Sequence, residues 1–502
     1  MGRFDNKHDS ETARKNKGHT KDRQDMKRAR FLLATTALGL NVSFAGAVHA
    51  ETLREALAAA YYSNPDLAAA RAEQRSVDEA VPAAVSNWRP NISGQVQLFE
   101  SDISSTTVRG TDGTIVNDND FSGSNEVYSA RVDQQIFRGM RNFNQYKGAK
   151  SEVMAGRANL LSTEQQVLLD AVTAYMDVLR DMAVVRLNDN NVQVLTRQLE
   201  ATQDRFRVGE VTRTDVAQAE AALAGSRSTR IQAQATLETS RAVYRRIIGM
   251  YPGTLEDAPE LPPLPQSEDM AVEVALDENP LVVSARHVEQ AAKYDVKEAK
   301  GGILPTVSAF ADWSRRESPT LTFDPVPNSF VNASNVGEST RYGITIDIPL
   351  YQSGAEYSTV RRAKQINSQR RLQIVSAERQ VMQNVRVAWE NYRAAQASIE
   401  ATSAQVRANE IALEGVRQEA SVGSRTTLDV LDAEQILLDS RVNLVTARRN
   451  EYVAGFSVLE AVGRLNAASL NLPVELYQPE EYYKSVKWKL VGWGTGDKDD
   501  SE

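Results

Sequence analysis

The sequence predicts an α+β membrane protein written as a two-fold internal repeat. Each copy supplies two amphipathic strands to a barrel shared between chains, and long helices whose coiled-coil seams must likewise be pooled between chains. Three observations predict this. First, residues recur at an offset of 215: Asn64-Pro65 as Asn279-Pro280, Arg71 as Arg286, and Pro90-Asn91-Ile92-Ser93 as Pro305-Thr306-Val307-Ser308. After one residue of slippage, Asp133 matches Asp347, Phe137 matches Tyr351, Ala174-Tyr175 matches Ala388-Trp389, and Gly249 matches Gly463. A register held so long is the mark of a duplicated structural unit. Second, each copy has stretches in which apolar and polar residues alternate, giving one face of each kind. Third, each copy has a proline-free helical run far longer than a compact domain needs.

In chain order, residues 1–30 are polar and basic, ending Met26-Lys27-Arg28-Ala29-Arg30, and an apolar run from Phe31 to Leu40 closes at Val48-His49-Ala50. A basic region, a short apolar core and small residues before a cut describe a signal peptide over 1–50, cleaved after Ala50. The basic extension is either an overlong leader or a start codon placed ahead of Met26. The apolar run is about half the roughly 20 residues of a spanning helix. Removing 1–50 takes away 10 basic and 5 acidic residues, leaving 48 against 61. An exported chain this acidic offers no face for nucleic-acid phosphates.

The first repeat, 51–250, opens with a helix at Asn64-Pro65, where Asn caps and Pro suits the first helical position. Ile92, Val96 and Leu98, then Ala130, Val132 and Ile136, form its two alternating strands. The second repeat, 269–465, opens at Asn279-Pro280. The stretch from Val307 to Trp313 is less regular, with Phe310 and Asp312 on one side, and Tyr342, Ile344, Ile346, Ile348 and Leu350 alternate in its second strand. The connectors around 103–122 and 316–338, rich in Gly, Ser, Asn and Asp, read as long exposed loops. A proline-rich linker, 251–268, joins the copies as a stiff strap. Helical runs follow the strands. In the first, Leu161, Leu168, Val172, Tyr175, Leu179 and Met182 step by three and four. In the second, Val381, Val385, Ala388, Tyr392, Ala395, Ile399, Val406, Leu413 and Val416 keep the 3.5 spacing of a coiled-coil seam. The tail, 466–502, carries Trp488, Trp493 and an acidic end, and is expected either to pack around the tunnel's waist or to stay disordered.

Composition removes several chemistries. The chain has no Cys and only four His: His8, His19, His49 and His287. Three of these fall in the expected leader, so a zinc site or a Ser-His-Asp triad would rest on His287 alone. No metal site, cofactor or catalytic constellation is expected.

Four strands cannot close a membrane barrel, whose smallest form has about eight, and open edges cannot face lipid. Several chains must therefore pool strands. On periodicity alone, a soluble periplasmic coiled-coil protein with two small sheets also stands. The order of elements, Asn64-Pro65, Asn279-Pro280, Pro90, Pro305 and two hairpin turns resemble the TolC family of outer-membrane channels. The turns read Val208-Gly209-Glu210-Val211-Thr212-Arg213-Thr214-Asp215-Val216 and Val422-Gly423-Ser424-Arg425-Thr426-Thr427-Leu428-Asp429-Val430-Leu431-Asp432-Ala433. The resemblance covers roughly Thr52 to Leu465. It implies a homotrimer with a 12-stranded barrel in the outer membrane, four strands per protomer, continuing into an α-helical tunnel across the periplasm. It also implies a passive exit duct, not an enzyme, whose partners are a periplasmic adaptor and an inner-membrane ABC or RND transporter. The form of the second turn and the missing lipidation cysteine lean towards type I protein secretion over multidrug efflux.

Within the turns, Gly209 and Gly423 suit a left-handed helix end. Thr212 and Thr426 are N-cap candidates, each with an Asp three positions on. Asp215 and Asp429 are therefore either caps or functional carboxylates. Asp432 shares a face with Asp429. Its counterpart is Gln218, and Arg425 faces Val211. By resemblance, Arg425 would bridge to Thr214 and Asp215 of a facing hairpin and hold the tunnel closed, while Asp429 and Asp432 form a constriction ring. Ala420 departs from the family, which has an aromatic there.

Overall fold

The computed structural model describes residues 51–109, 114–326 and 329–494. The expected signal peptide and the acidic end of the tail lie outside the described residues. Two short helices open the described residues, α1 (Leu53–Ser63) and α2 (Pro65–Asp78), and α6 (Glu268–Glu278) and α7 (Pro280–Gly301) repeat the pattern. The expected single helix at each Asn-Pro is thus a pair. Asn64 and Asn279 end one helix in extended backbone, as a residue before proline must, and cap the next through their side-chain oxygens. The copies differ next: α7 runs unbroken for 22 residues, whereas the first copy breaks at Glu79 into α3 (Ala80–Ser86). Pro82 causes the break, because it lacks an N–H and its ring crowds the carbonyl four residues back.

Pro90 and Pro305 stand immediately before β1 (Asn91–Arg109) and β3 (Thr306–Asp324), which pair with β2 (Thr114–Arg138) and β4 (Ser329–Asp347). The four strands form one antiparallel meander in chain order. Two expectations fail here. The stretches 103–122 and 316–338 are not long loops: ladder pairing continues out to Arg109↔Thr114 and Asp324↔Ser329. Ladder bonds come from the backbone, so Ser- and Asn-rich segments pair while lacking the apolar alternation of a half-buried strand. Strands of 19 to 25 residues are about twice the roughly 9–11 that span a bilayer, and their outer halves are polar. In addition, β4 ends at Asp347, leaving Ile348 and Leu350 beyond the strand, and a bulge at Ile136 puts Phe137 rather than Ile136 opposite Val307.

In the half of the sheet nearer the helices the register sorts the side chains by polarity, whereas farther out Glu126, Arg315, Glu317 and Glu338 share the face of Ala130 and Trp313. One face carries Ile92, Val96, Leu98, Val132, Ala311, Trp313, Tyr342, Ile344 and Ile346. The other carries Arg131, Asp133, Asp312 and Arg341, with ion pairs Arg131–Asp133 at 2.5 Å and Arg341–Asp312 at 2.9 Å. Phe310 lies on this polar face over Gly343, where a Cβ would meet its ring at 3.3 Å.

Beyond the sheet run α4 (Arg141–Arg207) and α5 (Arg213–Ile248), then α8 (Ala355–Ser421) and α9 (Thr427–Val462), of 67, 36, 67 and 36 residues. At 1.5 Å per residue the longer ones are rods of about 100 Å. Every residue of the expected second seam, from Val381 to Val416, is buried or half-buried. Among the described residues no helix is long and apolar enough to cross a membrane.

The main core lies midway along α4, where the ends of α5 and α9 meet it, around Leu168, Val172, Tyr175, Tyr244 and Phe456. Tyr244 donates to the Glu51 carboxylate at 2.6 Å, and burial pushes its phenol and that of Tyr175 well up. The proline-rich strap crosses this core through Leu255, Leu261 and Leu264, with Gly455 leaving room for Leu261. The tail packs here too, through Ala467 and Leu472, before α10 (Pro479–Val486) reaches α2. From Ala467 to Val486 the tail thus lies against the helices.

Candidate functional site at the helical hairpin tips

Both tips are built the same way. Helix α4 ends in a left-handed Gly209 (φ 80°), and α8 ends in Gly423 (φ 81°). In the first tip, Glu210 N–H donates to Arg205 O at 2.9 Å and Gly209 N–H to Phe206 O at 3.0 Å. In the second, Ser424 N–H donates to Glu419 O at 3.0 Å and Gly423 N–H to Ala420 O at 3.2 Å. These paired bonds satisfy carbonyls that a helix end leaves without partners.

The returning helices start at reciprocal caps. Asp215 Oδ2 accepts from Thr212 N–H at 2.8 Å and from its hydroxyl at 2.7 Å, and Thr212 Oγ1 accepts from Asp215 N–H at 3.3 Å. Asp429 and Thr426 repeat this at 2.9, 2.8 and 3.3 Å. The hydroxyl and amide of Thr212 hold the Asp215 carboxyl below the usual carboxylate range. The amide and hydroxyl of Thr426, helped by Arg425, do the same for Asp429. Both are anions at neutral pH. The capping reading of Asp215 and Asp429 is therefore realised in the fold. Asp432 is different: it is exposed, and its carboxylate takes no hydrogen bond or ion pair among the described residues. Its neighbours Val430 and Leu431 turn inward, and Leu431 packs on Leu195 and Leu223 of the other hairpin.

Arg425 is placed by its own turn. Its Nε donates to Glu419 at 2.9 Å, and Nη1 lies 4.0 Å from Asp429. Within the chain it does not meet Thr214 or Asp215, and Thr214 is exposed. Glu419 was missed in reading the sequence, although the repeat carries its signal. The position equivalent to Glu419 is Arg205, which pairs with Glu210 at 2.9 Å. The position equivalent to Ala420 is Phe206. Further up the second hairpin, Arg417–Glu434 and Arg441–Glu410 bridge α8 to α9, flanking a buried cluster of Val406, Leu413 and Leu437.

The whole is a set of rods with charged, solvent-facing tips hung from a two-faced sheet. A family model described as outer membrane efflux protein matches residues 56–250 and 271–464. The chain belongs to this family. It is 35% identical to the outer membrane efflux protein BepC of Brucella suis, over 93% of this chain and 97% of the relative. It is 28% identical to the outer membrane protein TolC of Escherichia coli, over 86% of each. With the alkaline protease secretion protein AprF of Pseudomonas aeruginosa it shares 24% over 74% and 76%. Its fold matches that of the CmeC outer membrane channel of Campylobacter jejuni, with a TM-score of 0.68 and 15% identity over 87% and 89%. The protein is a TolC-family channel of the outer membrane that reaches into the periplasm, passive rather than enzymatic.

Proposed function

We propose that three copies associate into a 12-stranded barrel and helical tunnel. The assembly conducts substrate passively from an inner-membrane transporter, through a periplasmic adaptor, to the outside. The units are the repeats 51–250 and 269–465, strapped by 251–268. One observation carries this reading: a four-stranded sheet with an apolar face, a polar face and two unpaired edges. Such a sheet satisfies its edge amides in lipid only by joining other copies around a wet lumen.

The β2–β3 seam of one chain supplies the template for the seam between chains. Arg131↔Asp312 and Val132↔Ala311 translate, by the repeat offsets, to Thr345 opposite Gln97 and Ile346 opposite Val96 of the next copy. That register keeps polar with polar and apolar with apolar. Because the chain has no Cys, Thr345→Cys with Gln97→Cys is a clean test. Oxidation gives a covalent trimer on denaturing gels, while monomer only, with both thiols accessible, would sink the reading.

At the tips, Arg425 holds the closed state against Thr214 and Asp215 of a facing hairpin, and Asp429 and Asp432 from three copies form a ring that favours cations. Docking of the adaptor and transporter opens it. The cargo branch we propose is type I protein secretion with an ABC transporter, supported by the form Leu428-Asp429-Val430-Leu431-Asp432 and by the likeness to AprF. Multidrug efflux is the second reading, favoured by the likeness to BepC, which is named for efflux. Deleting the gene separates them: loss of a secreted protein with unchanged drug tolerance supports the first, and the reverse supports the second.

A further inference from the structure

After α10 the chain returns to the strand end of the molecule. Arg89 grips it there, donating through Nη1 to Lys489 O at 2.8 Å and through Nη2 to Trp488 O at 3.2 Å. The Lys489 ammonium donates to the Gly494 carbonyl, and Gly492 turns through a left-handed conformation (φ 120°), so that 489–494 curl into a loop. Apart from Lys489, the exposed side chains of the loop are apolar: Leu490 is 76% exposed, Val491 90% and Trp493 100%, with Trp488 at 64% beside them.

Its position says what covers it. Arg89 is three residues from Ile92, about 10 Å of extended chain at most, and Ile92 begins the apolar face of β1. Every junction between helix and strand lies at this end of the sheet, which is therefore the periplasmic end. The loop thus continues the lipid-facing band at its lower rim. Indole rings prefer this boundary, apolar on one side and wet on the other. Lys487 and Lys489 supply positive charge beside the loop, where phospholipid phosphates would lie.

We propose that loop 488–493 is a membrane-surface anchor that inserts Trp488, Leu490, Val491 and Trp493 into the periplasmic phospholipid leaflet around the barrel, as interfacial segments do. This rests on the sheet standing in the bilayer, which Trp313, on its apolar face, reports separately. Full-length protein is reconstituted into phosphatidylcholine–phosphatidylglycerol vesicles containing a brominated phosphatidylcholine, and tryptophan emission is compared across variants. Trp488→Phe with Trp493→Phe is expected to lose part of the bromolipid-quenchable emission, and Trp313→Phe another part. Leu490→Ser with Val491→Ser keeps both indoles and shifts their emission to the red. If the double Phe variant leaves the quenchable emission unchanged while Trp313→Phe lowers it, the anchor is overturned and the barrel stands. If Trp313→Phe also changes nothing, the barrel reading fails with it. Indoles reached by aqueous iodide, or shielded from both quenchers by another copy, overturn the anchor equally.

Discussion

The two hairpin tips share one backbone and carry different charges. Both close with a left-handed glycine and a Thr–Asp box of matching distances, so the turn geometry needs only those residues. What varies is the side chain hung on it. The first tip pairs Arg205 with Glu210, and the second reverses the sign and pairs Glu419 with Arg425. The second alone adds Asp432, where the first has Gln218. A duplicated unit thus keeps the residues that make the turn and diverges in the charged side chains hung on it, which is where the proposed gate would have to lie.

The comparison breaks most visibly at the arginine. Arg425→Ala is expected to raise single-channel conductance in planar bilayers, while Arg205→Ala leaves it near wild type; equal behaviour would remove the asymmetry. Next in size, Asp432→Asn lowers cation selectivity, read as a shifted reversal potential in a salt gradient, with stability within about 0.5 kcal/mol. Gln218→Asp raises selectivity if the first tip lines the same bore. On stability the tips behave alike: Gly209→Ala and Gly423→Ala each cost roughly 1–2 kcal/mol, because a Cβ is disfavoured in the left-handed region. Thr212→Ala and Thr426→Ala each cost about 1 kcal/mol of helix capping, measurable by hydrogen exchange at the tip amides.

The smallest effect is that of acid. The carboxyls of Asp215 and Asp429 sit below their ordinary 3.8 when folded. Their stabilisation is therefore complete above that value and lost only as pH falls through the lower, folded one. Protection of the tip amides should stay flat from neutrality down to 3.8 and decline below it. A decline beginning near pH 6 would mean that these caps are not what closes the turns.

Much of this was legible before folding. Local rules placed the Asn-Pro caps, the glycine turns, the helical rods and the strand starts at Pro90 and Pro305, because each depends on a few neighbouring residues. The polar halves of the strands were misread as loops because a ladder bond carries no side-chain signature. Pro82, which breaks the first copy's helix where the second runs on, was visible but not weighed. Glu419 lay outside the turn motif, and only the repeat alignment with Arg205 marks it.

By itself the sequence determined the duplication, the two periodicities and the chemistry of both turns, since these are properties of residues close along the chain. Only the tertiary structure decided that Leu431 locks one hairpin to the other, that the tail packs at the core and returns to Arg89, and which side chains share each face of the sheet. Those contacts join residues tens to hundreds of positions apart. They are fixed by strand register and rod packing, which no local preference encodes.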